Sequence, residues 1–349
     1  MGLNICLGAP GSIRGAGMTK IIYTGTFSVA SALIVLLYGA ALHAEQLAPE
    51  VQVAKDKGLT LYNQYKAISA EPYLEVAARA GDRESQYYLG ESIRFNKRYM
   101  TPEAEKWYTA AAEQGDLYAM YRLAGNSSDL CTVMKNCPQG SKTAAEWFEL
   151  GKQTAKLKAD KGDAEAMYLL YFFRGGDEWL SKSAEAGFPE ANEYLATLYR
   201  EGRKFYFPPW GREEKAEELT RKAAEAGSPN AMARYVRILI RKKMPDEAGE
   251  WLIKCVGTGR AGCYSEYAAN LADPSNEFGF PVDYLKSYAL MLLLLDLNGG
   301  GTSKVFAEGE LPKISAHLEP QQIDEAKLFA DKWKSTHPPL SYFPEKLGY

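Results

Sequence analysis

Histidine is scarce in this sequence, with three among 349 residues. His43 lies in an amino-terminal apolar stretch. His317 and His337 stand in no recognisable nucleophile arrangement with serine, cysteine or carboxylate. The chain also lacks G-x-S-x-G, H-E-x-x-H and G-x-x-x-x-G-K-[ST], the spacings that place a nucleophile, a zinc pair or a phosphate cradle. These absences predict a protein that is not an enzyme and carries no cofactor. Acidic residues occur mainly as solvated helix-surface groups near lysine, as in Arg212-Glu213-Glu214-Lys215 and Glu217-Glu218. No segment alternates apolar and polar residues long enough for a convincing strand, which excludes a sheet-based fold. There is no basic excess either. Nucleic acid is therefore not an expected partner, since a phosphate-binding surface requires one.

One long uncharged run is present, Ile21 to Ala44. Lys20 precedes it, its apolar heart is Phe27 to Leu42, and it ends in Ala41-Leu42-His43-Ala44. A positive flank, a short apolar heart and an A-x-A-like end predict a signal peptide over 1–44, cut after Ala44. Thr24, Thr26, Ser28 and Ser31 make the run poor as a spanning helix, so an uncleaved inner-membrane anchor is the lesser reading. Translation could start at Met1 or at Met18. Cleavage removes Arg14 and Lys20, leaving 39 basic against 44 acidic residues, a net charge of −5. The expected location is periplasmic, with no stable membrane insertion of the mature chain.

Export gives meaning to the few cysteines. Of five, Cys6 leaves with the leader and four remain in two close pairs. The expected disulfides are Cys131–Cys137 and Cys255–Cys263. Four free thiols in a cytosolic protein is the alternative. A zinc site is weaker, because no histidine lies near either pair.

What the chain has in abundance is a repeated segment. Its clearest copy is Lys222-Ala223-Ala224-Glu225-Ala226-Gly227-Ser228-Pro229-Asn230-Ala231. It reads as a helix end, a tight turn and a new helix, with glycine supplying the left-handed residue and Pro229 in the following first turn. Copies place Gly81, Gly115, Gly162, Gly187, Gly227 and, in disguise, Gly259 at intervals of 34, 47, 25, 40 and 32 residues. Alanines four before and four after the glycine, as at 223 and 231 around Gly227, face each other across the turn. Cys255 and Cys263 occupy those two positions around Gly259. Tyr194, Tyr235 and Tyr267 are expected to fill the hairpin cores. A single hairpin cannot bury its apolar face, so several must stack.

Ala191, Tyr194-Leu195-Ala196 and Tyr199, followed by Lys215-Ala216, Leu219 and Lys222-Ala223-Ala224-Glu225-Ala226-Gly227, resemble the Sel-one-like repeat family, a relative of the tetratricopeptide repeat. Ala104 to Gly115 matches the second half, with Trp107 at the aromatic position. The resemblance covers roughly residues 70–300 and implies an all-α, right-handed α-solenoid that binds proteins. Around it, residues 45–69 are expected to form a lead-in helix with Leu59, Leu61, Tyr62, Tyr65 and Ile68 on one face. Pro72 should open the next helix. Residues 301–349 should form a capping helix beginning at Pro320 and a Pro- and Tyr-rich tail along the surface.

Two insertions interrupt the array, 126–141 and 203–212. The second carries Arg203, Phe205, Tyr206, Phe207 and Trp210, types enriched in binding hot spots. It is a candidate partner-binding loop. Alternatively its aromatics fold back as a cap over the neighbouring hairpin. Exported Sel-one-like proteins of Gram-negative bacteria include periplasmic immunity proteins that neutralise type VI secretion lipase effectors. The leader, size and irregular repeats resemble that class, which implies occlusion of a phospholipase toxin. A periplasmic scaffold, assembly factor or regulatory adaptor of the cell envelope is the alternative.

Overall fold

The structure is a computed structural model that describes residues 47–125 and 142–347. The leader, Cys131 and Cys137 lie outside the described residues. Among the latter, α1 (Pro49–Asn63) leads into six helix hairpins. These are α2 (Ala67–Arg79) with α3 (Arg83–Lys97), α4 (Pro102–Glu113) with α5 (Leu117–Ala124), and α6 (Ala144–Ala159) with α7 (Ala164–Phe172). Next come α8 (Asp177–Glu185) with α9 (Pro189–Arg200), α10 (Arg212–Glu225) with α11 (Pro229–Arg241), and α12 (Pro245–Gly257) with α13 (Ala261–Ala272). Three further helices follow, α14 (Tyr284–Leu294), α15 (Ser303–Ser315) and α16 (Pro320–Thr336). The architecture is an all-α repeat solenoid. No described helix is long and apolar enough to cross a membrane.

The six hairpin turns share one chemistry. Their glycines all have φ between +84° and +98°. In five of them the residue after the glycine donates its N–H back to the carbonyl five residues earlier, as in Asp82 to Ala77 and Ser228 to Ala223. That bond closes the helix end. Asp82, Asp116, Asp163 and Ser228 then accept from the backbone N–H three residues on and so cap the next helix. One short polar residue therefore both ends one helix and starts another. The flanking alanines 77, 111, 119, 191, 223 and 231 are fully buried, which lets the paired backbones close up. Position 158 departs from the pattern: it is a lysine, and its Nζ donates to Gly115 O at 3.1 Å.

Three expectations need correction. The lead-in helix does not run through residue 68. It breaks at Gln64–Lys66, where Tyr65 has φ +59°, and Ile68 belongs to α2, where it is 66% exposed. Pro72 does not open α2 but lies inside it. The helix starts a turn earlier than the proline rule implies, and the missing N–H falls on the solvent side, where water can serve the freed carbonyl. Tyr194 is only half-buried. The buried position eight past the glycine is Leu195 in that hairpin, as Leu89, Leu123 and Leu170 are in others.

The tail is anchored to the repeats by specific contacts. α16 begins at Pro320 with a reciprocal cap between Glu319 and Gln322, and Trp333 Nε1 donates to Tyr264 Oη at 2.8 Å. Beyond it the chain folds back along the repeats, with Ser341 buried, 342–344 half-buried and Glu345 exposed. Tyr342 N donates to Asn63 O at 2.9 Å, and Tyr342 stacks on Tyr65 at 4.5 Å between ring centroids. Lys66 Nζ reaches Asp296 O at 2.6 Å. The first turn of the array thus touches its last segments, and the solenoid closes on itself.

Candidate protein-binding surfaces

Cys255 and Cys263 form a disulfide with Cα atoms 5.9 Å apart, joining α12 to α13 across Gly259. The separation matches ordinary disulfide geometry. His317 stacks on Tyr284 and His337 on Trp333, so both imidazoles are used as packing surfaces. Among the described residues no group of three histidine, cysteine or carboxylate side chains is placed to hold a metal ion.

The insertion between α9 and α10 is held by its ends and its centre. Arg203 N and Lys204 N both donate to Leu198 O, and Lys204 pairs with Asp177 at 3.2 Å. Tyr206 turns inward, edge-on to Tyr199 at 5.7 Å, and lies so close to Gly211 that a β-carbon there would sit 2.8 Å from its ring. The other three aromatics point outward. Phe205, Phe207 and Trp210 are 85%, 77% and 81% exposed, and Arg203 beside them pairs with Glu201 at 3.3 Å. Of the two readings of this loop, the inward cap applies to Tyr206 alone. Three large rings projecting from one short, braced loop form an apolar patch that water solvates poorly.

The second surface was not legible in the repeats. The tail lies against residues of α3, α5 and α11, each the second helix of its hairpin. Gln64 Nε2 donates to Leu340 O at 2.9 Å and Asn230 Nδ2 to Phe343 O at 3.0 Å. Tyr87 Oη donates to Lys346 O, and Arg122 to Leu347 O. The Lys346 ammonium lies 4.1 Å from the Tyr118 ring centroid and 5.6 Å from that of Tyr87. Pro344 and Glu345 stand between two cavities, one of about 630 Å³ lined by Tyr88, Tyr118, Tyr168 and Glu193, the other of about 1130 Å³ lined by Tyr62, Phe95 and Gly299.

The electrostatics of this interior come from burial. Desolvation raises the Glu193 carboxyl above its usual range against the opposing pull of Ser228 and Arg234. It raises Glu190 likewise, with Lys346 pulling the other way. Burial, then Glu165, pushes the Tyr118 phenol up. Arg122 is oriented by Glu91, which is 2% exposed and also takes bonds from Tyr108 and Arg94. Asn230 is oriented by Arg260, whose Nε donates to its Oδ1 at 3.1 Å. The available sequence signal was the tail itself, Pro338-Pro339-Leu340-Ser341-Tyr342-Phe343-Pro344, too rich in aromatics for an idle surface strand.

No family model matches the chain, and no curated protein does. Among solved structures, c5321, a protective antigen of uropathogenic Escherichia coli displaying an SLR fold, is 20% identical with a TM-score of 0.44. That comparison covers 83% of this chain, which spans 62% of the antigen's length. A Sel1 repeat protein from Oxalobacter formigenes is 16% identical, over 74% of this chain and 98% of its own, with a TM-score of 0.34. The assembly chaperone of RpL4 (Acl4) is 13% identical, over 82% and 98%, with a TM-score of 0.22.

Proposed function

We propose that the protein is an exported solenoid that binds another protein through the 203–212 loop. The observation that carries this reading is the projection of Phe205, Phe207 and Trp210 from a loop braced by Tyr206. Rigid aromatics lose little entropy on binding and supply most of the energy of typical hot spots. The Cys255–Cys263 disulfide supports an oxidising compartment. Within this class we assign the chain as a periplasmic immunity protein that grips a type VI secretion phospholipase and covers its active-site mouth. Support for that finer step is the resemblance in size, irregular repeats and leader.

The test is capture of the partner from the native periplasm by tagged protein, compared with a Phe205→Ser, Phe207→Ser, Trp210→Ser variant. A stoichiometric lipase-like toxin is expected with the unmodified chain. Each lost anchor should weaken binding by about 2 kcal/mol, roughly 30-fold. The variant should keep its thermal unfolding temperature, because these rings are largely exposed. Capture that survives the triple substitution overturns the loop as the binding surface. Capture of envelope-assembly proteins instead of a toxin overturns the immunity assignment.

A further inference from the structure

The tail is held in a manner that says what else the interior can hold. Four side chains, Gln64, Asn230, Tyr87 and Arg122, donate to main-chain carbonyls of residues 340, 343, 346 and 347. Carbonyls are common to every peptide, so this row reads an extended backbone rather than one sequence. Two of the four donors are themselves fixed by a second residue, Arg122 by Glu91 and Asn230 by Arg260. Selectivity comes from one place. The Tyr87 and Tyr118 rings receive a lysine ammonium, with the Glu190 and Glu193 carboxylates in the same cavity.

Two features show that the tail occupies this groove as a ligand rather than as core. First, the tail is not enclosed as core is: clefts open to solvent flank Pro344 and Glu345, and Glu345 is exposed. Second, its anchor is a short β-bridge. Ser341 N donates to Gly259 O, and Ala261 N donates to Ser341 O, both at 2.9 Å. Arg260 gives α13 no side-chain cap, so the tail carbonyl serves that helix end, a bond any incoming peptide carbonyl can replace.

We propose that the concave groove is a binding site for an extended, lysine-bearing segment of a partner protein, and that residues 338–347 occupy it as an intramolecular stand-in which the partner displaces. This surface is separate from the three exposed loop aromatics, and the inference does not depend on the partner being a toxin. A segment more acidic than the tail, or a phosphorylated one, is disfavoured, because Glu190 and Glu193 already face the tail's own Glu345. The motif preferred in trans is the one seated in cis: an aromatic–proline pair, then a lysine within three residues, then an apolar residue.

A fluorescein-labelled peptide with the sequence of residues 338–347 tests the proposal by anisotropy against two full-length proteins, unmodified and Lys346→Glu. The tethered tail competes at an effective concentration on the order of millimolar. The substitution turns the tail's cation into an anion facing carboxylates, so the variant should bind the peptide at least tenfold more tightly than the unmodified chain. The same peptide with glutamate in place of lysine should bind neither. The Phe205→Ser, Phe207→Ser, Trp210→Ser variant should bind it as the unmodified chain does, which separates this site from the loop. A second measurement needs no variant. Saturating peptide should speed hydrogen exchange of the Ser341 and Tyr342 amides at least tenfold. Equal binding by both proteins, no binding by Lys346→Glu, or unchanged exchange would each overturn the proposal.

Discussion

At the scale of single residues, the six turn glycines look alike in sequence but differ in what surrounds them. Gly227, at φ +98°, has open space where a β-carbon would go. Gly227→Ala should therefore cost only the left-handed backbone penalty, about 1–2 kcal/mol. Gly259 has a similar φ, +84°, but a β-carbon there would sit 2.7 Å from Pro339 O. Gly259→Ala should cost more than Gly227→Ala in urea unfolding, and it alone should accelerate exchange at Ser341 and Tyr342. Equal costs and an undisturbed tail would show that the tail does not press on this turn. The repeat pattern places both glycines in one class. Contact with a segment 80 residues away distinguishes them, and no spacing rule carries that contact.

At the scale of elements, the hairpin was the most legible feature, because its signals are local. Glycine, the small residues around it and the capping Asp or Ser act within one or two turns of helix. The sixth hairpin replaces two of those small residues by a disulfide between α12 and α13. Its closed loop is short, so the chain-entropy contribution is about 2–3 kcal/mol. Reduction, or Cys255→Ser with Cys263→Ser, should lower unfolding free energy by that amount while keeping the helical circular dichroism signal. A loss near zero would mean the tightly packed turn is already constrained without the bond. Less legible were α1 and α2. Their boundary depends on Tyr65 adopting a left-handed conformation, and Tyr65 does so stacked on Tyr342 from the far end of the chain.

At the scale of the whole molecule, an open solenoid transmits stress only between neighbouring repeats. This one ties its ends together, so a change at the carboxyl end should be felt at the amino end. Tyr342→Ala removes a stacked pair worth about 0.5–1.5 kcal/mol. Exchange of the α1 amides should accelerate roughly 2- to 12-fold, although Tyr342 is remote from them in sequence. An unchanged α1 would show that the closure carries no energy. The sequence by itself determined the helical class, the hairpin unit and its turns, because those depend on interactions a few residues apart. Only the tertiary structure decided that Tyr206 turns in while Phe205, Phe207 and Trp210 turn out, that the tail folds back along the repeats, and that side-chain donors from α3, α5 and α11 converge on its carbonyls. The tail contacts depend on residues more than a hundred positions apart meeting in space, as Asn230 and Phe343 or Tyr87 and Lys346 do, which no local spacing reveals.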